Sequence, residues 1–555
     1  MRPLHTAALY ACAFALALPA SACAQATTNP AQAPATGTIP KGMPAARAAA
    51  LGGWWNDVVF YEVFVRSFAD STTGPLANDG IGDFQGLIER LDYLKDLGVG
   101  ALWLMPITES PSYHGYDTTD YRTIERDYGT NDDFKRFMAE CRKRNIKVVI
   151  DFVINHCSDE HPWFKQASAD PQSLKRDWFI WEKTRPTWKG PWNQTVWHAN
   201  PAPGQSGFYY GMFNHDMPDL NFRNQGATAE IHDTAKFWLT EMGVDGFRLD
   251  AIRHLIEDGS VQENTPETHA WLKGFQTWCK SVRPDCFTVG EIWAGTHDIA
   301  GYVNGGEMDS AFEFELEGKL VESIKSGRAA PLAEAMRASF VSFPPGTYST
   351  FLTNHDQGRI MTALKGDAAK ARAAVSVLLT MPGIPFLYYG EEIGMTGDKP
   401  DPKIRTPMQW SSGPNAGFTA PAAKPWQRPN ADTESTNVAA QAQKPGSLLE
   451  HYRRLIAVRN DSEALRRGDL QVVPLSASHP SLLAFTRSRG HETVLVLANL
   501  GADPSPIPMD QLPPALRERL PGSTDLLTGN QLAAEAIAHP DPLAAGNAWI
   551  VRLAR

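Results

Sequence analysis

Short apolar runs alternate with amphipathic segments along most of the chain. The segments between them, such as residues 84–97 and 132–144, carry apolar positions at helical spacing. Strands that alternate with helices predict a parallel sheet, and eight of them predict a closed (β/α)8 TIM barrel. The predicted strands are residues 58–65, 101–105, 147–154, 244–249, 287–289, 311–314, 350–352 and 385–389.

The same pattern divides the chain into domains. The barrel is predicted over residues 51–156 and 222–465, because the intervening stretch is too long for a helical crossover and is rich in Trp, Pro and Asn. This stretch, residues 157–221, predicts an inserted irregular domain after the third strand. Ser447 and Glu450 form a capping-box pattern that opens a helix through residue 458. Later short β runs predict a C-terminal antiparallel β-sandwich over residues 466–555.

The first 50 residues do not continue the barrel pattern. Arg2, an apolar run at 7–18 and small residues at 20–22 predict a secretory signal peptide over residues 1–22. Cys23 directly follows the predicted cleavage site, so lipid attachment at Cys23 is an open alternative. Residues 23–50 are rich in Ala, Pro, Thr and Gln and predict a flexible linker. We therefore expect export to the periplasm or the cell exterior, with or without a lipid anchor.

Composition narrows the class of protein. Hydrophobic residues make up 43% and charged residues 21% of the 555 residues, which is a globular composition. The net charge of −10 and the lack of a long basic run argue against nucleic acid as a partner. No apolar stretch is long enough to span a bilayer, and we expect a monomer.

Four cysteines lie in the part of the chain that is predicted to fold. Export exposes them to an oxidising compartment, in which three pairings are open. The preferred pairing joins Cys279 and Cys286 across a short loop, and the alternative is buried free thiols. The spacing of the four does not predict a zinc site. They are Cys141, Cys157, Cys279 and Cys286.

Polar residues cluster where several predicted strands end. Asp250, Glu291 and Asp356 each follow a different apolar strand. Barrel enzymes carry their catalytic groups at this end of the strands, so the three carboxylates are expected to converge on one mouth. A single such carboxylate is usually structural, whereas three on separate strands are hard to explain as helix caps or surface charge.

These segments resemble the four sequence regions of the α-amylase superfamily of glycoside hydrolases, family 13. They occur in the family's order and spacing, at residues 151–156, 246–250, 290–291 and 354–356. A fifth segment, Met-Pro-Asp-Leu-Asn at 217–221, lies in the predicted inserted domain. This segment is similar to the corresponding segment of the group intermediate between oligo-1,6-glucosidases and neopullulanases. That group includes secreted bacterial α-amylases.

The resemblance implies roles for the three acids. Asp250 matches the nucleophile, Glu291 the general acid/base, and Asp356 the third acid, which binds hydroxyls of the distorted sugar. Retaining glycosidases use two such carboxyl groups about 5–5.5 Å apart. Arg248 lies two residues before Asp250 on the same face of its strand, and its charge is expected to keep Asp250 ionised.

Further side chains match the family's sugar-binding residues. His156 and His355 match the histidines that bind the same sugar as the three acids. Tyr116, in the segment His114-Gly115-Tyr116-Asp117, matches the aromatic platform under that ring. Each histidine alone would more often be an ordinary hydrogen-bonded residue.

Calcium is the ion that the resemblance implies, at two candidate sites. Asn155, Asp219 and the carbonyl of His254 match the site that ties the inserted domain to the barrel, and hard oxygen ligands suit Ca²⁺. The second candidate is an acidic loop in which Thr72 replaces the family's usual Asn and an insertion follows it, so an ordinary acidic turn is the alternative. Its candidate ligands are Asp70, Asp79, the Ile81 carbonyl and Asp83.

Three features bear on the bond that is cleaved. Ala251 follows the nucleophile, and Ala there goes with α-1,4 cleavage in related enzymes. Asp117 matches a residue that grips the chain end in exo-acting α-glucosidases, and residues 404–410 are shared with oligo-1,6-glucosidase relatives. The expected activity is that of an α-amylase on α-1,4-glucans and maltooligosaccharides. The alternatives are an exo-acting α-glucosidase or oligo-1,6-glucosidase with transglycosylation and, more remotely, a non-catalytic sugar-binding or partner subunit.

Overall fold

The computed structural model describes residues 52–555. The predicted signal peptide, the linker and the lipid-anchor candidate Cys23 lie outside the described residues. No helix within residues 52–555 is long and apolar enough to cross a membrane.

Eight parallel strands close into a barrel in which each strand pairs with its neighbours in chain order and the last pairs with the first. This confirms the predicted TIM barrel, and every predicted strand overlaps an observed one. The seventh strand begins two residues earlier than predicted, because Tyr348 and Ser349 are the residues that pair with the sixth strand. The strands are Phe60–Val63, Ala101–Leu104, Lys147–Phe152, Gly246–Leu249, Phe287–Gly290, Ser310–Phe312, Tyr348–Thr350 and Ile384–Tyr388.

Aromatic side chains fill the inside of the barrel. Phe60 stacks on Phe386 with 4.3 Å between ring centroids, and Trp103 packs against Phe312 at 5.2 Å. Alternate residues of each strand, such as Tyr61, point outward and pack with the buried residues of the helices. Ser310 and Ser349 also pair inside the barrel, with 2.9 Å between their hydroxyl oxygens.

Helices connect and cover the strands. Thr130 caps Asn131–Lys143 with a reciprocal capping box, and Ser447 caps the helix predicted from its sequence by accepting from the Glu450 amide at 3.2 Å. The Glu450 carboxylate accepts from Gly446 instead of Ser447. The longer helices are Asn131–Lys143, Pro162–Ala169, Gln225–Phe237, Pro266–Val282, Thr296–Asn304, Phe314–Ser326, Ala330–Ser342, Ala368–Thr380 and Leu448–Asp461. The shorter ones are Val65–Phe68, Phe84–Glu89, Leu91–Leu97, Ile360–Ala363, Asp401–Ile404, Val438–Ala442, Glu463–Arg467, Pro514–Arg517 and Ala534–Ala538.

The stretch after the third barrel strand is largely irregular, as its composition predicts. It contains a three-stranded antiparallel sheet, and two isolated bridges pair its end, at Asp219 and Leu220, with His156 and Phe179. One of these bridges pairs His156 with Asp219, which brings the end of the stretch back to the barrel mouth. The three strands are Trp181–Glu182, Trp197–Ala199 and Phe208–Tyr210, and a separate two-stranded sheet pairs Thr108–Glu109 with Asp120–Ile124.

The C-terminal region is an antiparallel β domain, as predicted, and its strands form one five-stranded sheet. One face of the sheet, with Phe485 and Val496, joins the buried cluster of the barrel. The other face is covered by residues 500–547, where short helical turns and isolated bridges replace the second sheet of a sandwich. The strands are Asp469–Val472, Leu482–Arg489, Glu492–Asn499, Thr524–Asp525 and Ala548–Arg552.

The four cysteines of the described residues are free, buried thiols. The preferred Cys279–Cys286 disulfide is therefore not formed, and the alternative of buried thiols is what the structure contains. Burial raises the pKa of the Cys279 thiol, and a hydrogen bond to Cys286 adds to this effect. The two thiols thus face each other, as the short loop between them requires.

Candidate active site

Arg248 is the centre of a buried cluster of carboxylates at the barrel mouth. Its Nη1 lies 2.9 Å from Asp151 Oδ1 and 2.7 Å from Asp250 Oδ1, while its Nη2 lies 2.8 Å from Glu291 Oε2. Only 1% of the Arg248 side chain is exposed. The third, fourth and fifth barrel strands supply these residues, and so the two predicted reacting acids contact one guanidinium.

Burial dominates the electrostatics of Asp250. Burial raises its pKa well above the usual value, and repulsion from Glu291 and Asp151 acts in the same direction. The Arg248 charge lowers the pKa but does not outweigh burial. Arg248 thus acts in the expected direction, but burial and the two neighbouring carboxylates act against it.

The backbone amide that follows Asp250 contacts Glu291. Ala251 has a φ of +50°, in the left-handed region that a non-glycine residue rarely adopts. In this conformation its amide donates to Glu291 Oε2 at 3.2 Å. The indole of Trp293 donates to the other oxygen, Oε1, at 2.7 Å. Both oxygens of Glu291 are thus fixed beside Asp250.

His355 and Asp356 form a second charged group at the same mouth. His355 Nδ1 lies 2.6 Å from Glu62 Oε1, and its Nε2 lies 3.2 Å from Asp356 Oδ2. Burial lowers the pKa of His355, but these two carboxylates outweigh it and raise the pKa to about 10. His355 is therefore an imidazolium at neutral pH.

Asp356 is the most open of the three predicted acids, with 31% of its side chain exposed. Arg405 Nη2 lies 2.9 Å from Asp356 Oδ1, and Arg405 Nε donates to the His355 carbonyl at 2.9 Å. Burial raises the pKa of Asp356, but His355 and Arg405 together lower it below the usual range. Asp356 is thus an ionised acceptor that faces the opening.

Tyr116 connects the two charged groups. Its hydroxyl donates to Asp151 Oδ2 at 3.1 Å and lies 2.6 Å from His355 Nε2. The Tyr116 and His355 rings stack with 5.6 Å between centroids. The structure therefore brings the predicted acids, the predicted platform and the platform's histidine partner into one network.

The remaining predicted sugar residues lie around this network. His156 Nε2 is 3.0 Å from the Tyr116 carbonyl, and burial lowers the pKa of His156 to about 4. Burial likewise lowers the pKa of His114 to about 4, and its Nδ1 accepts from the Tyr116 amide at 3.2 Å. Both imidazoles are therefore neutral at pH 7.

Asp117 is occupied by local contacts. It is 5% exposed, and its Oδ1 accepts from the Ser110 hydroxyl at 2.7 Å and from the Ser112 hydroxyl. Burial raises its pKa to about 6. The contacts lie on the N-terminal side of Asp117 and not in the turn formed by residues 118–120. They give Oδ1 of Asp117 a local role.

Four residues of the site were given no role from the sequence. Glu62 is a lone acid in an apolar strand, which is a usable signal for a functional carboxylate. Asp151 lies in the first motif and Arg405 in the segment 404–410, while Trp293 follows Glu291 by two residues. Their roles depend on contacts between distant parts of the chain, such as Glu62 with His355.

The first predicted calcium site has oxygen atoms that fit the ion. Asn155 Oδ1 is buried and has no hydrogen-bond partner within residues 52–555, while Asn155 Nδ2 donates to Asp219 Oδ2 at 3.0 Å. Burial raises the pKa of Asp219 well above the usual value, and Glu257 adds to this effect. A buried carboxylate beside an unpartnered amide oxygen is what a hard cation would satisfy.

The second predicted site is built differently. Asp70 Oδ1 accepts from Asn78 at 2.9 Å and Oδ2 from Gly80 at 2.8 Å, and Asp83 Oδ1 caps the next helix by accepting from Gly86. Asp79 Oδ1 accepts from the Ile81 amide, and burial raises the pKa of Asp79 to about 6. Across the described part of the chain, no three His, Cys, Asp or Glu side chains are arranged to hold a metal. Calcium in this loop stays a prediction.

Comparison with known proteins agrees with the geometry. Residues 62–468 match the family model described as the α-amylase catalytic domain. The chain is 38% identical over 453 residues to "Alpha-amylase 3" of Dictyoglomus thermophilum, covering 80% of this chain and 85% of that protein. It is 31% identical over 523 residues to an oligo-1,6-glucosidase of Heyndrickxia coagulans, covering 80% and 92%. A crystal structure of an α-amylase from H. orenii superposes with a TM-score of 0.75 at 35% identity, covering 89% and 99%.

Proposed function

The chain belongs to the α-amylase family of glycoside hydrolases, which act on α-glucans, and we propose that it cleaves α-1,4 bonds of starch-like glucans and maltooligosaccharides with retention of configuration. The observation that carries this proposal is the placement of Asp250 and Glu291 on one guanidinium, with Asp356 nearby. A sugar-binding protein without hydrolase activity would not need this arrangement.

The proposed reaction has two steps. In the first, Asp250 attacks the anomeric carbon and forms a glycosyl ester, while Glu291 gives its proton to the departing glycosidic oxygen. In the second, Glu291 takes a proton from water, the resulting hydroxide attacks the anomeric carbon, and Asp250 is released. Each residue returns to its starting state, and one water is consumed for each bond cleaved.

The buried cluster of carboxylates disfavours full ionisation. Full ionisation of Asp151, Asp250 and Glu291 would leave excess negative charge in a buried place with one guanidinium. Burial raises the pKa of Asp151 and of Asp250, and repulsion from neighbouring carboxylates acts in the same direction on both. The proposed reaction requires Glu291 to carry the proton, and Asp250 to be ionised, when substrate is bound.

The other charged group would bind and orient the sugar. Ionised Asp356 and the His355 imidazolium offer an acceptor and a donor for neighbouring hydroxyls, while Tyr116 offers its ring face. Arg405 and Glu62 hold these two residues in place. Fixed charges of this kind favour the transition state because they need no reorganisation during the reaction.

Two observations favour internal cleavage of the chain. Ala251 follows the nucleophile, as in related α-1,4-cleaving enzymes, and Asp117 Oδ1 already accepts from Ser110 and Ser112. The alternative is exo cleavage or α-1,6 cleavage with transglycosylation, which the similarity to oligo-1,6-glucosidases and the shared segment at 404–410 support.

We expect soluble starch to lose viscosity early and to yield mixed oligosaccharides, because an open mouth admits internal segments of the chain. The measurement follows viscosity and products together, with maltoheptaose, isomaltose, sucrose and trehalose as parallel substrates. Glucose as the sole early product from maltoheptaose would contradict internal cleavage. Faster turnover of isomaltose than of maltoheptaose would favour the α-1,6 alternative.

We also propose that Ca²⁺ binds at the first predicted site. Asn155 Oδ1, the Asp219 carboxylate and the His254 carbonyl would hold it, and the ion would neutralise a buried negative charge. The proposed ligands come from the segment that follows the third strand, the end of the inserted stretch and the turn after the fourth strand, so the ion would tie these segments together.

Removing Ca²⁺ with a chelator is expected to lower the melting temperature, and added Ca²⁺ is expected to restore it by mass action. At a free Ca²⁺ concentration of one hundred times Kd, binding adds about 2.7 kcal/mol to the free energy of unfolding. Calorimetry and elemental analysis measure the two effects. Asn155→Ala should melt at one temperature with or without chelator. An unchanged melting temperature and no bound metal in the unmodified protein would remove the ion from the proposal.

A further inference from the structure

Glu62 is a buried acid inside the barrel, on a strand that is otherwise apolar. It lies in the first strand, two residues after Phe60, which belongs to the aromatic cluster inside the barrel, so both side chains point inward. Only 2% of Glu62 is exposed. Burying a carboxylate is costly unless it is paired and hydrogen-bonded, so the partner of Glu62 indicates why an acid is present here.

That partner is His355, which comes from the segment after the seventh strand. His355 Nδ1 lies 2.6 Å from Glu62 Oε1, and the imidazole is fully buried. The Trp103 ring packs edge-on against the imidazole with 5.5 Å between centroids, and Arg405 donates to the His355 carbonyl. The imidazole is therefore fixed in orientation, with Nδ1 toward Glu62 and Nε2 toward Asp356.

The proton of this pair resides on His355. Burial lowers the pKa of His355, but Asp356 and Glu62 outweigh burial and raise the pKa to about 10. Burial raises the pKa of Glu62, while the His355 charge lowers it. The imidazole thus binds the proton more tightly than the carboxyl group does. The result is an imidazolium between two carboxylates, and its Nε2 carries a hydrogen that can be donated at the mouth.

Other titratable groups face this pair from the neighbouring elements. The Tyr116 hydroxyl lies 2.6 Å from His355 Nε2, and burial raises the pKa of Tyr116 well above its usual value, so that it stays neutral. In the part of the chain that the structure describes, Glu62 is the group that contacts Nδ1. The groups that act on the pair through their charge or their titration are Tyr116, Asp151, Arg248, Asp356, Tyr388, Glu391 and Arg405.

We propose that Glu62 is a positioning residue that keeps His355 protonated on both nitrogens, so that Nε2 remains a charged donor to the sugar up to alkaline pH. This inference rests on the proposed function, in which His355 binds the sugar. Without a negative charge at Nδ1, burial would be opposed by fewer carboxylates, and the imidazolium would lose its proton at a lower pH. A neutral imidazole carries one hydrogen instead of two and makes a weaker hydrogen bond.

Glu62→Gln tests the charge, because it keeps the shape of the side chain and removes the carboxylate. The assay follows kcat/KM for α-maltosyl fluoride against pH, since fluoride departs with little help from an acid and the alkaline limb then does not depend on Glu291. For the unmodified protein, kcat/KM should not fall between about pH 7 and about pH 9. In Glu62→Gln it should fall over that range, about tenfold for each pH unit above the lowered pKa of His355.

Two further variants separate the charge from the structure. Glu62→Asp keeps the carboxylate on a shorter side chain, so a lower rate without the fall at alkaline pH is expected, and this variant decides the test if Glu62→Gln does not fold. Glu392→Gln is the matched control, because it makes the same change at a fully buried carboxyl group. Glu392 accepts at 2.8 Å from the hydroxyl of Tyr61, which points outward from the same strand. Its pH profile should be that of the unmodified protein.

Melting curves establish that each variant is folded. A loss in Glu62→Gln that is the same at every pH, no loss at all, or an equal alkaline fall in Glu62→Asp would overturn the role of Glu62 while leaving the proposed function intact. Failure of the unmodified protein to cleave both α-maltosyl fluoride and maltoheptaose would instead overturn the proposed function and this inference with it.

Discussion

Asp250→Asn is expected to abolish turnover while leaving the fold intact. The amide cannot form the glycosyl ester, so kcat should fall by about 10⁴-fold or more. Stability should not fall, because burial disfavours the charged form of Asp250 and Asn removes that charge at nearly the same volume. The measurement combines steady-state rates on maltoheptaose with a melting curve.

The control for this variant is Asp132→Asn, the same change at a side chain that is 94% exposed. It should behave as the unmodified protein in both assays. Bound maltooligosaccharide should still protect Asp250→Asn against thermal unfolding, because the sugar-binding residues are untouched. A folded Asp250→Asn protein with a rate near that of the unmodified protein would show that Asp250 is not the nucleophile.

The barrel could be predicted because each strand is short, apolar and followed by a helical pattern. Burial on both faces makes such strands stand out, and the polar cluster at each strand end marks the mouth. The C-terminal region was harder to predict. Its β runs alternate apolar and polar residues, as in a half-buried sheet. Residues 500–547 cover the outer face of this sheet, and their hydrophobic residues follow neither the period of a strand nor that of a helix.

Only the site residues that lie in sequence motifs could be predicted. Asp250, Glu291 and Asp356 follow strands, so their convergence is a consequence of the barrel. Glu62 and His355 are 293 residues apart in the chain, and only the closure of the barrel between first and last strands brings them together. A motif predicts a residue's type and position but not its partners.

The electrostatics of the site could likewise be predicted only in part. Arg248 and Asp250 on one strand face predict an ion pair, and the pair exists at 2.7 Å. The sequence does not reveal that Asp151 and Glu291 contact the same guanidinium, or that burial outweighs its charge at Asp250. Both effects arise from how neighbouring strands pack at the mouth.

Glu291→Gln is expected to separate natural from activated substrates. Glutamine keeps an oxygen that can accept from Trp293 but cannot donate the proton that the glycosidic oxygen needs. Loss of general acid catalysis should lower kcat/KM on maltoheptaose by about 10²- to 10⁴-fold. On α-maltosyl fluoride the first step should be nearly unaffected, since fluoride departs with little assistance from an acid.

The decisive measurement for Glu291→Gln is the ratio of the two rates, because a loss of folded protein lowers both equally and leaves the ratio unchanged. The second step also needs Glu291 as a base, so the glycosyl ester on Asp250 should accumulate with the fluoride and be detectable by mass spectrometry. Trp293→Phe is the matched comparison: it removes one hydrogen bond to Glu291 but keeps the acid, so it should lower both rates modestly. Equal losses on both substrates in folded Glu291→Gln, with no accumulated ester, would mean that Glu291 is not the acid/base.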